Sequence, residues 1–204
     1  MKLFYLSTSP FARKVRVLIH ETGLSDRIQL VEVASTSSPV NPTHELIAEN
    51  PLGKIPTLVL NNGNVIFDSR VISEYLDTLH DGPPMFPPVG ITRWRVLTRQ
   101  ALADGILDAA VLTRYELMLR PEQYQWPEWI DGQKQKFRRA LDSLECDANT
   151  MHDGVDIGAI STACALAYLD FRYPDESWHG RCPRLAAWYE KFVVRMSMRA
   201  TRPE

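Results

Sequence analysis

The stretch Asn50-Pro51-Leu52-Gly53-Lys54-Ile55-Pro56-Thr57-Leu58-Val59-Leu60 decides how this chain folds, together with a second apolar run at Val65-Ile66-Phe67. The turn residues Asn62-Gly63 between the two runs predict a β-hairpin. Because Pro56 has no N–H to give a strand ladder, it must stand at the first residue of its strand. The Ile55–Pro56 bond is a candidate cis peptide that turns the backbone of Ile55 outward. A backbone exposed in this way can bind an extended peptide.

Asp68 and Ser69 follow the second strand, where a helix should start. The free N–H groups of a helix start attract anions, so Ser69 is expected to receive a carboxylate while Asp68 receives an ammonium. Taken alone, Asp68-Ser69 is more often an ordinary helix cap, and Lys54 a solvated turn residue. The hairpin and this helix start nevertheless predict one peptide-binding surface.

Length and composition exclude several classes of protein. The 204 residues, 45% of them hydrophobic, suffice for one large domain or two modest ones with a real core. A net charge of −2 and an isoelectric point near 6.2 give no long-range field for a nucleic acid. The longest apolar run, Ile157–Leu169, is shorter than the roughly 20 residues that a membrane span needs. We therefore expect no nucleic-acid partner and no membrane association.

The N-terminus, the cysteines and the histidines bear on location and metal binding. Residues 1–6 are too short for a signal peptide, so we expect a cytoplasmic protein. The three cysteines form no Cys-x-x-Cys pair and have no histidine at ligand spacing, and the five histidines are scattered. The sequence therefore predicts neither a disulfide framework nor a metal site.

The first 80 residues alternate between strand and helix patterns. Ser9 is a candidate N-cap of the first helix, with Pro10 at its first position, and Gly23 ends that helix. The predicted elements are a strand at residues 2–6, a helix at 11–22, a strand at 28–33, a short helix at 44–49, the two hairpin strands and a helix at 69–79. Their order is β-α-β-α-β-β-α.

A proline-rich segment separates this half from a helical one. Four prolines in the six residues 83–88 remove donors and fix φ, so residues 81–90 are predicted to be a linker. Beyond it we predict an all-helical domain over residues 91–204, with helical patterns at 91–119, 128–144, 157–173 and 184–194. Asp153 and Asp156 form an acidic variant of a capping box before the third of these.

Four motifs in order resemble the glutathione transferases, whose first half is a thioredoxin-like domain. They are Thr8-Ser9-Pro10-Phe11-Ala12-Arg13-Lys14-Val15-Arg16, the stretch from Asn50 to Pro56, Phe67-Asp68-Ser69, and the capping box before Ile157. The resemblance covers essentially the whole chain. The chain is similar to the soluble bacterial members of the family that carry a serine at the first helix. It implies an α/β thioredoxin-like domain over residues 1–80 followed by an all-α bundle.

The first helix is where thioredoxin-like folds hold a reactive cysteine, because the N–H groups and the helix dipole stabilise a thiolate. Here Ser9 and Ala12 occupy both cysteine positions, so no mixed disulfide can form there. By resemblance, the sulfur belongs to glutathione as co-substrate, and the Ser9 hydroxyl donates a hydrogen bond to it. Ser7 and Thr8 are alternatives, because a shift of one or two residues changes which hydroxyl faces the sulfur.

The resemblance also implies partners for the rest of the tripeptide. Ile55 would pair through its backbone with the cysteinyl unit, and Lys54 would reach the glycyl carboxylate. Asp68 and Ser69 would hold the γ-glutamyl ammonium and carboxylate. Position alone suggests an electrophile pocket formed by Phe11, Ala12, Ala103, Leu107 and Tyr115. A homodimer is implied, and no metal.

Several functions are compatible with these residues. The first is a detoxification enzyme that transfers glutathione to a small hydrophobic electrophile, or performs a related addition, peroxide reduction or isomerisation. The second is a glutathione-binding regulatory module with little turnover. The third is an adaptor that binds no glutathione. The presence of Lys54 and Asp68-Ser69, which would bind glutathione, argues against it. The basic cluster Arg13, Lys14 and Arg16 could form a solvated helix face or add positive potential near the thiolate, and we expect the solvated face.

Overall fold

A computed structural model of the chain describes residues 1–34, 38–151 and 154–203, which divide into two compact units. The first unit is Met1–Pro88 together with a C-terminal segment that begins at Arg195, and the second is Val89–Val194. The first unit contains the strands β1 (Lys2–Tyr5), β2 (Gln29–Glu32), β3 (Thr57–Val59) and β4 (Val65–Ile66), and the helices α1 (Pro10–Glu21), α2 (His44–Glu49) and α3 (Ser69–Asp77). The expected β-α-β-α-β-β-α order is confirmed.

The second unit is helical, also as expected. Its helices are α4 (Gly90–Leu119), α5 (Pro127–Asp147), α6 (Ile157–Arg172), α7 (Trp178–Arg181) and α8 (Pro183–Val193), and the chain then adds α9 (Met196–Ala200) to the first unit. Single turns of 3-10 helix occur at Ser25–Arg27, Glu122–Tyr124, Ala148–Thr150 and Pro174–Glu176.

The sheet of the first unit brings three chain segments to one edge. Its strand order is β2-β1-β3-β4, with β1 parallel to β2 and antiparallel to β3, and β3 antiparallel to β4. Phe4 pairs with Thr57, and Leu58 pairs with Ile66. The carboxyl end of β1, the start of β3 and the end of β4 therefore meet at the same edge.

Helix α1 contradicts one expectation about its basic residues. Arg13 and Lys14 are buried, with exposed fractions of 5% and 0%, and Arg16 is half-buried with its guanidinium 4.6 Å from the centre of the Tyr5 ring. The prediction of a solvated face was wrong because α1 also packs against the C-terminal segment that begins at Arg195. The Arg13 guanidinium donates to the Met198 carbonyl at 3.0 Å and to Thr201 Oγ1 at 3.5 Å.

The C-terminal segment, predicted as part of the helical domain, thus packs within the first unit. A second contact adds to this attachment: Arg195 donates to both carboxylate oxygens of Glu21 at 2.8 and 2.9 Å, and Ser197 Oγ donates to the same group. Burial tends to raise the pKa of Glu21, but the hydrogen bonds from Arg195 and Ser197 outweigh it and lower that pKa below its ordinary value.

The lowered pKa of Glu21 predicts a pH dependence of stability. A carboxyl group with a depressed pKa in the folded state stabilises the protein above its unfolded-state pKa, and this contribution is lost as the pH falls through the folded-state pKa. The urea midpoint of the wild type should therefore fall more steeply below about pH 4.5 than that of Glu21→Gln. Glu190→Gln removes an exposed carboxylate from α8 and serves as the control. Parallel pH curves for wild type and Glu21→Gln would contradict the prediction.

The proline-rich segment after α3 is held by one carboxylate. Asp77 accepts hydrogen bonds from the backbone N–H groups of Met85 at 2.7 Å and Phe86 at 3.0 Å, and both side chains are buried. The segment is therefore attached to the first unit up to Pro88, where the division between the units falls.

Helix α6 is the most buried helix of the second unit. Asp156 caps it by accepting from the Ala159 N–H at 2.8 Å, whereas Asp153, the other predicted capping residue, lies outside the described residues. A Cβ at Gly158 would come within 2.9 Å of the Val96 carbonyl on α4, so the close packing of α4 against α6 requires a glycine there. None of the helices in residues 1–34, 38–151 and 154–203 has both the length and the hydropathy of a membrane-spanning segment.

Candidate functional site

The predicted site residues of the first unit gather at one sheet edge. Ser9 follows β1, the Lys54-Ile55-Pro56 turn precedes β3, and Asp68-Ser69 follows β4. Extending the observed pairing of Leu58 with Ile66 by two positions brings Asp68 opposite Pro56. The register of the sheet thus unites the segments that the sequence singled out.

Ser9 is the N-cap of α1. Its backbone is extended (φ −80°, ψ 119°), and its Oγ accepts a hydrogen bond from the Ala12 N–H at 3.3 Å. Accepting this bond leaves the hydroxyl hydrogen of the half-buried Ser9 to donate. Ser7 and Thr8 are half-buried as well, and the Ser7 N–H donates to Glu32 Oε1 at 3.1 Å. Of the three hydroxyl residues, Ser9 is the one that caps the helix.

The turn before β3 has a feature that the sequence analysis missed, a buried polar latch formed by Asn50 and Thr57. Asn50 Nδ2 donates to the Lys54 carbonyl at 3.0 Å and to Thr57 Oγ1 at 2.9 Å, while Thr57 Oγ1 donates to the same carbonyl at 2.7 Å. Asn50 Oδ1 accepts from the Leu52 N–H at 3.0 Å. The two side chains are 1% and 0% exposed. The signal for this latch was an asparagine and a threonine on either side of the turn at residues 51–56.

The latch fixes a turn whose residues differ in exposure. Lys54 is exposed, Ile55 is half-buried and Pro56 is buried, and the Ile55–Pro56 peptide is cis. Gly53 has a positive φ of 58°, which other residues rarely adopt. The turn therefore offers the Lys54 ammonium and the Ile55 backbone at the edge of the sheet.

The start of α3 supplies the third segment. Asp68 is the N-cap and its Oδ1 accepts from the Arg70 N–H at 2.9 Å, and the Phe67–Asp68 peptide is cis. Ser69 is the first residue of the helix, so no carbonyl within the helix receives its N–H. Asp68 is exposed and Ser69 is 3% exposed. The arrangement provides an anionic carboxylate next to a helix N-terminus, which suits a zwitterionic ligand.

The residues predicted to line an electrophile pocket are divided between the units. Ala12 in the first unit and Ala103 and Leu107 on α4 have no exposed surface. Phe11 and Tyr115 are half-buried, and burial raises the pKa of Tyr115. A fully buried side chain offers no surface to a ligand. Phe11 in the first unit and Tyr115 in the second each keep exposed surface, and a pocket that contains both stays a prediction.

Cysteines and metal ligands play no part in the sites described so far. Cys164 and Cys182 are buried, Cys146 is exposed, and all three are free thiols. Across the described ranges, no three His, Cys, Asp or Glu side chains are arranged so that they could hold a metal ion.

Comparisons with known proteins agree with this fold. The family described as "Glutathione S-transferase, N-terminal domain" matches residues 8–79, and "Glutathione S-transferase, C-terminal domain" matches residues 127–191. The "Uncharacterized GST-like protein YibF" of Escherichia coli K12 is 35% identical over 206 aligned positions, which cover 100% of this chain and 98% of that protein.

Two crystal structures of a glutathione transferase family member from Pseudomonas fluorescens Pf-5 are also similar. One, with bound glutathione, is 53% identical with a TM-score of 0.97 and covers 100% of this chain and 98% of the other. The second, with bound S-(propanoic acid)-glutathione, is 52% identical with a TM-score of 0.92 and covers both chains completely. Both family domains match in the expected order and the whole-length relatives agree with them, so this chain belongs to the glutathione S-transferase family.

Proposed function

We propose that this chain binds glutathione at the sheet edge and transfers it to a small hydrophobic electrophile. The observation that carries the proposal is the convergence of the Ser9 cap, the Lys54-Ile55-Pro56 turn and the Asp68-Ser69 helix start at one edge. The similar Pseudomonas fluorescens protein has bound glutathione and an S-substituted glutathione, which supports the same ligand here.

Each part of the tripeptide has a chemically matched group. The Asp68 carboxylate pairs with the γ-glutamyl ammonium, and the Ser69 N–H and hydroxyl bind the adjacent carboxylate. The backbone of Ile55 pairs with the cysteinyl unit in the manner of an added strand. Lys54, whose side chain is exposed, reaches the glycyl carboxylate.

Ser9 acts on the sulfur. A free thiol has a pKa of about 8.5, and a hydrogen-bond donor at a helix N-terminus lowers it by favouring the thiolate. The thiol proton passes to solvent, and the thiolate forms a carbon–sulfur bond with the electrophile as a leaving group departs or a double bond is saturated. Ser9 is a hydrogen-bond donor throughout, neither the nucleophile nor a base. Phe11, two residues after Ser9 and half-buried in the first unit, is a candidate for contact with the electrophile. The homodimer and the cytoplasmic location stay predictions.

Binding and turnover measurements on the wild-type protein test this proposal. Calorimetry should show that glutathione binds, as should its analogue with a methyl group in place of the thiol. Glutathione should be conjugated to members of a panel of aryl halides and unsaturated carbonyl compounds, with rates that reach half of their maximum below about pH 8.5, the ordinary thiol pKa. Binding without turnover would favour the regulatory module instead, and failure of both peptides to bind would exclude the assigned site.

A further inference from the structure

The turn that leads from β1 into α1 is bonded to the neighbouring strand through the carboxylate of Glu32, the last residue of β2. The Ser9 N–H donates to the Leu6 carbonyl at 2.9 Å, so the four residues from Leu6 to Ser9 form a β-turn. Ser7 is the first central residue of this turn, and its N–H donates to Glu32 Oε1 at 3.1 Å. A side chain of β2 therefore holds the middle of the turn that ends at the predicted sulfur-binding serine.

The register of the sheet explains why Glu32 reaches this turn. β1 and β2 are parallel with Tyr5 opposite Glu32, and the Val33 N–H donates to the Tyr5 carbonyl at 2.8 Å. Side chains of residues directly opposite each other project from the same face of a sheet, and the Tyr5 hydroxyl donates to Glu32 Oε2 at 3.5 Å. The Arg16 guanidinium lies 4.6 Å from the centre of the Tyr5 ring. Glu32 thus contacts the turn with one oxygen and, with the other, a tyrosine that a side chain of α1 covers.

The exposure of Glu32 indicates what its hydrogen bonds do. Interactions of exposed carboxylates contribute little to the free energy of unfolding, so the fold does not depend on this side chain. The turn, however, carries Ser9 at its last position, and a shift of the turn moves the Ser9 hydroxyl. A misplacement of about 1 Å can cost up to roughly 100-fold in the rate of a reaction. The main effect of Glu32 is therefore expected on position and not on stability.

We propose that Glu32 is a positioning residue that directs the Ser9 hydroxyl at the glutathione sulfur. It does so by holding the Ser7 N–H, which fixes the orientation of the turn. This inference rests on the proposed function, because it requires glutathione at the sheet edge. The hydrogen bond carries the effect, since the negative charge of a carboxylate near a thiolate raises the pKa of the thiol. Positioning and charge therefore predict opposite changes in the thiol pKa when the carboxylate is removed.

Titration of the thiol of bound glutathione, followed by the ultraviolet absorbance of the thiolate, tests this inference on the full-length protein without an electrophile. In the wild type the pKa of the bound thiol should lie below about 8.5, its ordinary value. In Glu32→Ala it should rise toward that value, and kcat/KM for an aryl halide at neutral pH should fall roughly tenfold. Glu32→Gln keeps an oxygen that can accept from the Ser7 N–H, so it should retain the lowered thiol pKa. S-methylglutathione should bind the wild type and both variants with similar affinity.

Asp26→Ala is the matched control, because it removes an exposed carboxylate from the segment before β2, at the other end of the same strand. It should leave the thiol pKa unchanged, and urea denaturation should show nearly equal midpoints for all of these proteins. A lower thiol pKa in both Glu32 variants would identify an effect of charge and overturn the proposal, as would a Glu32→Ala titration that matches a lowered wild-type curve. A wild type that binds no glutathione, or whose bound thiol titrates at its ordinary value, would show instead that the proposed function is wrong, and this inference would fail with it.

Discussion

Replacing Ser9 by alanine is expected to reduce kcat/KM for glutathione conjugation by roughly 10- to 100-fold. A hydrogen bond to a charged group contributes about 1.5–3 kcal/mol, and the thiolate forfeits that bond when the hydroxyl is removed. Because Lys54, Ile55, Asp68 and Ser69 remain in place, the affinity for glutathione should change only a few-fold. The measurement is steady-state conjugation of an aryl halide over a range of pH, together with calorimetry of glutathione.

Three further variants separate the chemistry of Ser9 from its role as a cap. Ser9 Oγ also accepts from the Ala12 N–H, so the alanine variant should lose about 1 kcal/mol of stability as well. Ser9→Asp retains a capping acceptor but opposes a thiolate, so it should be nearly as stable as the wild type and still inactive. Ser7→Ala and Thr8→Ala should remain active. If one of these loses the activity instead of Ser9→Ala, the assignment of the sulfur-facing hydroxyl is wrong.

Local signals accounted for most of the fold. The N-caps at Ser9, Asp68 and Asp156 all hold their predicted helix starts, because capping depends on residues within one turn of each other. The hairpin likewise follows from the turn at Asn62-Gly63. Such features are encoded over short stretches and need no knowledge of the tertiary structure.

Long-range packing accounts for what the sequence did not reveal. Arg13 and Lys14 looked like solvated residues, and only the contact of Arg13 with Met198 and Thr201, 185 and 188 residues away, explains the burial of Arg13. The exposure of the five residues predicted for the electrophile pocket likewise depends on tertiary packing, which the sequence pattern does not reveal. The arrangement of the site could be predicted in part. The motifs predicted three binding segments, but that these segments meet at one edge follows from the pairing of β1 with β3 and of β3 with β4.

Removing the polar latch formed by Asn50 and Thr57 is the second change with a large expected effect, on both stability and glutathione binding. Asn50→Ala removes three hydrogen bonds, those to the Lys54 carbonyl, to Thr57 Oγ1 and from the Leu52 N–H. At about 1 kcal/mol each, their loss should lower the free energy of unfolding by about 3 kcal/mol, measured by urea denaturation. Because the bonds hold the Lys54-Ile55 turn, the affinity for glutathione should fall at least tenfold.

Matched variants decide whether the latch positions the binding turn or only supports the fold. Asn50→Asp has the same shape but replaces the Nδ2 donors with an oxygen that faces the Lys54 carbonyl, so it should lose as much affinity as the alanine variant. Asn64→Ala truncates an exposed asparagine of the neighbouring hairpin turn and should leave both quantities nearly unchanged. The decisive comparison is made at a temperature where every variant is fully folded. An Asn50→Ala protein that is less stable but binds glutathione with wild-type affinity would show that the Ile55 backbone is held in position without the latch.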